Sequence, residues 1–391
     1  MLPAEHQRTA ALKESALALV PKLDSRAAEA EALRRLPDAT FADLKSAGLH
    51  RMCQPARFGG SEVPLDGAVD IISTLARGCA STAWVCGVFT DHSIITGMFE
   101  PQTADDVWAE NPDSVIASGY LPSGNAERAK GGWRLSGTWG FSSGCDFADW
   151  ILLGCMLPIQ DDTKVAHLCL VPRAEVEIDD NWHVMGLEAT GSKNLIVEDT
   201  FVPENRTIAM AAMNGGAEAR GQTDVPPLYR LPQVTAVPFL FCATIIGIAE
   251  SVLENTIAQM GARKPFGTPV AEFPSMQLHI AESAAEIDCA RMLMQRDTSE
   301  AMAAMREPRP LTMAEKVRNR RDQAYAARLC TRAVDRLFGA AGAKGIFSDN
   351  VVQRKFRDLR AANVHIAVNW DLAGTTYGRV TLGLDPITPL I

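Results

Sequence analysis

The sequence has little of what would place the protein on nucleic acid or in a membrane. Its 38 lysines and arginines are outnumbered by 47 aspartates and glutamates, and the net charge of −9 gives no electrostatic basis for binding nucleic acid. We find no apolar run of the roughly 20 residues that cross a bilayer. The opening MLPAEHQRTAALKES lacks the apolar core and cleavage site of a signal peptide. We therefore expect a cytoplasmic protein.

Cysteine and histidine are present without the spacings that signal disulfides or metal sites. The nine cysteines show no pairing rhythm and no C-x-x-C, which indicates reduced thiols used mostly as small apolar residues. The seven histidines form no H-x-x-x-H or H-x-H. Metal sites in proteins usually carry such spacings. We therefore predict no metal.

What the sequence does contain is three segments of different texture. Residues 1–112 are rich in Ala, Leu, Glu and Arg at helical apolar spacing, including one apolar stripe over 66–89 that predicts a single buried helix. Residues 113–213 hold short β-rich runs separated by Gly, Pro, Asp and Asn, which predicts a small β-barrel or sandwich. After the small-residue linker MNGGAEARGQTDVPP, residues 228–391 return to helix. Their long periodic stretches predict a four-helix bundle, with helices at 234–261, 275–305, 312–340 and 349–375.

Five separated motifs occur in an order that resembles the acyl-CoA dehydrogenase superfamily. They are GLHRMCQPARFGG, WRLSGTWGFSSGCDFADWILL, MGLEATGSKNLIVEDTFVPENR, ARKPFGTPVAEFPSMQ and LFGAAGAKGIFSDNVVQRKFRD. The resemblance covers nearly the whole chain. It implies an N-terminal helical domain, a central β domain and a C-terminal four-helix bundle.

Two of the segments, GCASTAWVCGVFTDH and GTWGFSSGCDFADW, resemble a subgroup of that superfamily. This subgroup contains the oxygenase components of two-component flavin-dependent monooxygenases, such as p-hydroxyphenylacetate hydroxylase. The resemblance implies reduced FMN or FADH2 delivered by a separate flavin reductase, with O2 as co-substrate. It also implies a flavin C4a-hydroperoxide that oxygenates a small aromatic substrate.

The segment RDLRAANVHIAVNWD, residues 357–371, predicts a continuous helix with His365 and Asn369 on its inner face. A histidine has an unperturbed pKa near neutrality, so His365 can take a phenolic proton or, when neutral, hydrogen-bond a substrate hydroxyl. Both roles stay open, as does a purely structural histidine satisfied by a carbonyl. Asn369 would orient the ring one turn on, and Asp371 is a weaker candidate.

A dehydrogenase would need a carboxylate base at this place. The interval at which many acyl-CoA dehydrogenases carry a glutamate after the RD motif ends at His365-Ile366, where there is none. Glu250 or Glu254 on an earlier helix is the alternative carrier, against a simple ion-paired surface role for both.

The resemblance also places His92 and the FSSG turn beside the flavin. His92 follows ASTAWVCGVFTD and would bind a substrate hydroxyl or transfer a proton; a helix-end histidine is the structural alternative. Ser142, or failing that Ser143, would hold a donor at flavin N5. Strand alternation predicts that one of these serines faces inward and the other outward. Two turn serines bonded to their own backbone are the alternative.

Further residues are candidates for cofactor binding. Phe141, Trp139 and Trp182 would wall a dry flavin pocket, with core packing as the alternative for each. From ARKPFG, Arg263 would bind the flavin phosphate across a subunit interface, which implies a homotetramer or at least a dimer, and Phe266 would contact the cofactor. A basic surface turn at a helix end is the alternative for Arg263. The loop GAAGAKG, 339–345, predicts a helix-to-helix turn near that phosphate.

The sequence thus predicts an oxygenase component that hydroxylates a phenolic or other aromatic compound. An acyl-CoA dehydrogenase or oxidase, an N- or S-oxygenase on the same fold, and a flavin-binding protein without turnover are the alternatives.

Overall fold

The N-terminal segment folds into six α-helices within the residues that the structure describes. The structure, a computed structural model, describes residues 3–159, 163–222, 224–264, 267–307 and 309–387. The stripe predicted as one helix over 66–89 is two, because Cys79 has an extended backbone that separates the fourth helix from the fifth. The fifth helix is buried on every side. The N-terminal helices are α1 (Pro3–Ser25), α2 (Ala27–Leu33), α3 (Asp38–Ser46), α4 (Leu65–Gly78), α5 (Ala80–Thr96) and α6 (Pro101–Trp108).

The central segment forms one seven-stranded sheet in the order β5-β6-β2-β1-β3-β4-β7. Only the β1–β3 pair is parallel among the described pairings. Alternate side chains of these strands pack into a separate apolar core. The strands are β1 (Ile116–Ala129), β2 (Gly132–Ser142), β3 (Trp150–Pro158), β4 (Lys164–Pro172), β5 (Glu177–Asp179), β6 (Lys193–Pro203) and β7 (Thr207–Ala209).

The C-terminal segment is a helical bundle around one central helix. Two short helices precede the bundle: α7 (Met210–Asn214), which begins at the end of the predicted β segment, and α8 (Gly216–Ala219), which lies in the predicted linker. The bundle helices are α9 (Gln233–Ala262), α10 (Pro274–Arg306), α11 (Met313–Ala341), α12 (Val351–Ala362) and α13 (Trp370–Thr381). Helix α9 packs against α4, α5, α10, α11 and α12. It therefore joins the N-terminal helices to the bundle.

Helix α9 also corrects the expectation that no apolar stretch could span a membrane. Among the described residues one helical stretch, Gln233–Gly261, is long and apolar enough to do so. However, 83% of its apolar window is buried inside the protein. Its apolar character is explained by its place at the centre of the bundle.

The predicted helix over 349–375 is wrong at its most important point. Helix α12 ends at Ala362, a short 3-10 turn covers Ile366–Val368, and α13 begins at Trp370. His365 and Asn369 are the residues that precede the two new helical starts, and each accepts a backbone N–H through its side chain. Such local bonds compete with a continuous helix. The break places His365 on a turn rather than on a helix face.

Candidate active site

Three parts of the fold meet at the indole of Trp84 on α5. Its Nε1–H donates to Ser143 Oγ at 3.2 Å. Its ring stacks on Phe241 of α9 with 4.4 Å between ring centroids, and the ring of His365 meets it edge-on at 5.5 Å. Phe241 and His365 are themselves 4.4 Å apart. Trp84, Phe241 and His365 therefore form one aromatic cluster, the Trp84 cluster. The FSSG turn is bonded to this cluster through Ser143.

The FSSG turn is held tightly against α5. Phe141 has a positive φ of 63°, and its carbonyl accepts the Ser143 N–H at 3.1 Å. Gly144 has a φ of 74°, and a Cβ there would lie 2.9 Å from the side chains of Phe89 and Val85. Only glycine combines that backbone conformation with so close an approach. The turn thus fixes its two serines relative to Trp84.

The two serines differ in how their hydroxyls are satisfied. Both are buried, so the prediction that they face opposite sides is wrong: β2 ends at Ser142 and Ser143 already lies in the turn. Ser143 Oγ contacts Ser192 Oγ at 2.7 Å as well as Trp84, and Ser192 continues to Thr190 at 2.7 Å. Ser142 Oγ is buried without a partner in the described part of the chain. A buried hydroxyl without a partner is rare and calls for an explanation.

His365 is held as a neutral ring. Its Nδ1 accepts the N–H of Ala367 at 3.2 Å, and no described residue bonds its Nε2. Burial, with a smaller contribution from the positive charge of Arg320, lowers the pKa of His365 to about 4. A neutral imidazole that accepts at Nδ1 carries its hydrogen on Nε2. The ring therefore offers a donor to whatever lies beside Nε2.

Asn369 does not orient His365. Its side chain is exposed, and Oδ1 caps α13 by accepting the N–H of Leu372 at 2.9 Å. Asp371, the weaker candidate, lies in the first turn of α13. Both residues serve the start of that helix, where caps and acidic side chains are stabilising.

His92 lies inside α5 rather than at its end, because the helix continues to Thr96. Its Nδ1 donates to the carbonyl of Ile116 at 2.7 Å, and its Nε2 is 3.9 Å from Asp91 Oδ2. Burial lowers the pKa of His92 to about 4 and raises the pKa of Asp91 to about 8. His92 is two helical turns, roughly 12 Å, beyond Trp84. No described bond joins it to the Trp84 cluster.

The three aromatic candidates occupy different places. Trp139 is 1% exposed in the core of the β domain, with its indole N–H on the Gly154 carbonyl at 2.7 Å, which favours the packing interpretation. Phe141 is 74% exposed and meets half-buried Trp182 edge-on at 6.1 Å. That pair forms an open aromatic surface beside the FSSG turn.

Arg263 lies next to the glycine-rich turn, as the resemblance implies. One guanidinium nitrogen donates to the Ala341 carbonyl at 2.9 Å, and a Cβ at Gly342 would be 3.7 Å from the guanidinium. The helix-to-helix turn is present as a 3-10 segment, Gly342–Ile346. Phe266 lies outside the described residues.

The RD motif ties the bundle to the rest of the fold. Asp358 Oδ1 accepts the N–H of Leu187 at 2.7 Å, and burial raises the pKa of Asp358 to about 6. Arg357 bonds the Met185 carbonyl at 2.8 Å and pairs with Glu31 of α2. These contacts fix α12, and so the start of the turn that carries His365.

The alternative glutamates are engaged in ion pairs away from the cluster. Glu250 accepts from Arg291 of α10, with Nε at 2.7 Å, and Glu254 pairs with Arg77 of α4 at 2.8 Å. No described carboxylate bonds Trp84, Phe241 or His365. The interval after Arg357-Asp358 at which the resemblance would place a carboxylate base ends at the imidazole of His365.

Sequence reasoning missed three residues of the site. Trp84 and Phe241 were read only as parts of apolar helices, although a tryptophan among the small residues ASTA was a usable signal. Arg320 lies in the charged run EKVRNRRD, where nothing in the letters distinguishes it from its partly exposed neighbours Arg318 and Arg321.

Known proteins are similar to this one over nearly the whole chain. Residues 239–370 match the family described as Acyl-CoA dehydrogenase, C-terminal domain. The chain is 36% identical over 374 residues to the FADH(2)-dependent resorcinol hydroxylase, oxygenase component, of Rhizobium sp. (strain MTP-10005), covering 93% of this chain and 91% of that one. It is 33% identical over 380 residues to the p-hydroxyphenylacetate 3-hydroxylase, oxygenase component, of Acinetobacter baumannii, covering 94% and 88%.

A solved structure agrees with these sequence relatives. The structure of XiaF from Streptomyces sp. in complex with FADH2 and glycerol matches with a TM-score of 0.92 at 28% identity, over 98% of both chains. The likeness thus spans the N-terminal helices, the sheet and the bundle together.

Proposed function

Because the chain belongs to the oxygenase components of flavin-dependent monooxygenases built on the acyl-CoA dehydrogenase fold, we propose that it hydroxylates a phenol with reduced flavin and O2. Reduced flavin supplied by a separate reductase activates the oxygen. The observation that supports a phenol is His365, a neutral imidazole in an aromatic cluster without a carboxylate. An aromatic ring and a hydroxyl are what such a cluster binds.

The tautomer of His365 supports one of the two roles that the sequence left open. With Nδ1 accepting from Ala367, the hydrogen on Nε2 would be donated to the substrate oxygen. A base at Nε2 would first have to lose that hydrogen. We therefore propose that His365 positions the hydroxyl and stabilises negative charge on its oxygen.

The residues of the FSSG turn fit a flavin. Ser142 offers an unpartnered buried hydroxyl, and Phe141 with Trp182 offers an open aromatic surface at the same turn. We propose that Ser142 bonds the flavin ring edge at N5 while Ser143 holds Trp84 in place. Two relatives are named with FADH2, so FADH2 is the flavin to test before FMN.

Arg263 would bind the flavin phosphate of another subunit. Only one of its terminal nitrogens has a described partner, the Ala341 carbonyl. It is not bonded to the Trp84 cluster within the described residues, which supports a role in a neighbouring site. We therefore propose a homotetramer in the cytoplasm, served by diffusible reduced flavin.

The function is tested by product analysis. Purified protein, an unrelated NADH-dependent flavin reductase, FAD and a panel of phenols are incubated under ¹⁸O2. We expect a catechol-type product that carries one ¹⁸O atom, and its formation should require both the protein and reduced flavin. Failure to label any phenol, with oxidation of an acyl-CoA instead, would favour the dehydrogenase alternative.

A further inference from the structure

Arg320 is a buried cation that forms no ion pair with any residue the structure describes. Its side chain lies on α11 and is 8% exposed, and its described bonds go to the Ala367 carbonyl at 2.7 Å and Gln323 Oε1 at 3.2 Å. Neighbouring arginines of the same helix are paired: Arg318 with Glu300 and Arg321 with Asp322. A buried charge without a counter-ion is costly, so its retention calls for an explanation.

The geometry connects this charge to the candidate site. Ala367, whose carbonyl accepts from Arg320, is the residue whose N–H is accepted by His365 Nδ1. The guanidinium therefore holds the turn that fixes the tautomer of His365. Its charge also reaches the imidazole, since it contributes to lowering the pKa of His365.

Resting on the proposed function, we propose that Arg320 is a positioning residue that stabilises the anionic, phenolate form of the substrate held at His365. The phenol releases its proton to solvent on binding, and the Nε2–H of His365 then donates to the phenolate oxygen. No bond other than O–H breaks, and no oxidant is needed at this step. A phenolate ring is richer in electrons than a phenol, which favours attack by an electrophilic oxygen.

Other ionisable groups around the cluster do not cancel this charge. Burial lowers the pKa of Arg320 only to about 10, so it stays protonated at neutral pH. On α9, burial raises the pKa of Cys242 to about 12, so its thiol is neutral. On α12, Asp358 is bonded to Leu187, and on α5 the carboxyl of Asp91 lies roughly 10 Å along the helix from Trp84. Among the described residues, the charge of Arg320 is the one that contributes to lowering the pKa of His365, after burial.

The test measures the ionisation of a bound phenol by its colour. 4-Nitrophenol is titrated from pH 5 to pH 9 in the presence of the protein with reduced FAD, without oxygen, and phenolate absorbance of the bound fraction is recorded. We expect the pKa of the bound probe to lie at least about one unit below that of the free probe. Arg320→Gln, which keeps a donor for Ala367, should remove about that shift, while Arg320→Lys should retain most of it.

Arg328→Gln is the matched control, because it removes the same charge from an exposed position on α11 and should leave the shift unchanged. A bound probe with an unshifted or raised pKa in the unaltered protein would overturn the proposal, whether or not Arg320→Gln folds. An equal shift in Arg320→Gln and the unaltered protein would overturn it too. If no phenol of the panel binds, the proposed function itself fails. If a phenol binds and is labelled with ¹⁸O but the pKa of the bound probe is not lowered, only the role of Arg320 is refuted.

Discussion

The two turns that meet at Trp84 are held in different ways. The FSSG turn is bonded through Ser143 to Trp84 and Ser192 and is packed on α5 at Gly144. The α12–α13 turn contacts Trp84 only through the face and edge of aromatic rings, and it is fixed by Arg320 at Ala367. Hydrogen bonds thus join one wall of the site directly to Trp84, whereas the other wall meets Trp84 by ring packing, and its own hydrogen bonds go to Arg320 and Thr331 of α11.

This difference suggests a division of labour. The wall beside the flavin has to be rigid, because a donor misplaced by an ångström loses its effect. The turn with His365 has to admit substrates and then align their hydroxyl, which a turn that packs on Trp84 without bonding to it allows. Altering each turn separately should therefore change different properties of the enzyme.

The largest effect is expected at the α12–α13 turn. His365→Ala should lower the product formed per reduced flavin by about 10- to 100-fold, because one positioned hydrogen bond to the reacting oxygen is lost. Hydrogen peroxide should rise in proportion, since the flavin still reacts with O2. Product and peroxide are measured in the same reaction. Unchanged coupling would remove His365 from the mechanism.

Acid should separate the histidine inside a helix from the one in the turn. Both pKa values are lowered to about 4, so the unfolded chain takes up the protons first and stability present above pH 6.5 is lost as the pH falls toward 4. His92 is 3% exposed. In His92→Gln, the drop in unfolding free energy between pH 7 and pH 4.5 should therefore be smaller by about 2 kcal/mol. His365 is only partly buried and should contribute less. Urea unfolding at pH 7 and pH 4.5 measures both, and identical pH slopes in His92→Gln and the unaltered protein would contradict this account.

The two serines test the rigid wall directly. Ser143→Ala should cost about 1–2 kcal/mol of unfolding free energy, because the Trp84 N–H and Ser192 lose a buried partner. Ser142→Ala should change it by less than about 0.5 kcal/mol, since its hydroxyl has no described partner. In the reaction with reduced flavin and O2 the variants should rank the other way, and Ser142→Ala should release more hydrogen peroxide per reduced flavin than Ser143→Ala. Normal coupling in that variant would refute its place at N5.

Asn369→Ala should show the smallest effect. Loss of the α13 cap is expected to cost about 1 kcal/mol at this exposed position. Product per reduced flavin should stay the same, because Asn369 does not bond His365. A drop in coupling without a drop in stability would restore the orienting role predicted from the sequence.

Much of the fold followed from periodicity, while the site depended on details that periodicity does not carry. The predicted β runs are all strands, and three of the four long helices of the bundle were correctly located. The fourth was wrong because His365 and Asn369 bond backbone N–H groups and stop a helix that the apolar spacing would continue. The sequence does not show whether the side chain of a residue such as His365 or Asn369 will bond a backbone N–H and end the helix.

The site itself was found through resemblance and corrected by contacts. Distance from Arg357-Asp358 pointed to His365, and FSSG pointed to the serines. Neither indicated that Trp84 joins them, nor that Arg320 is buried while Arg318 and Arg321 are partly exposed and paired with carboxylates. A charged run has the same letters whether its members face water or a carbonyl.

The central claim is that this protein controls the reaction of reduced flavin with oxygen at the Trp84 cluster. The most direct measurement is stopped-flow absorbance after protein with anaerobic FADH2 is mixed with oxygenated buffer. We predict that flavin reoxidation occurs in two resolved phases, with the second slower than reoxidation of free flavin. A single phase at the rate observed without protein would contradict the claim.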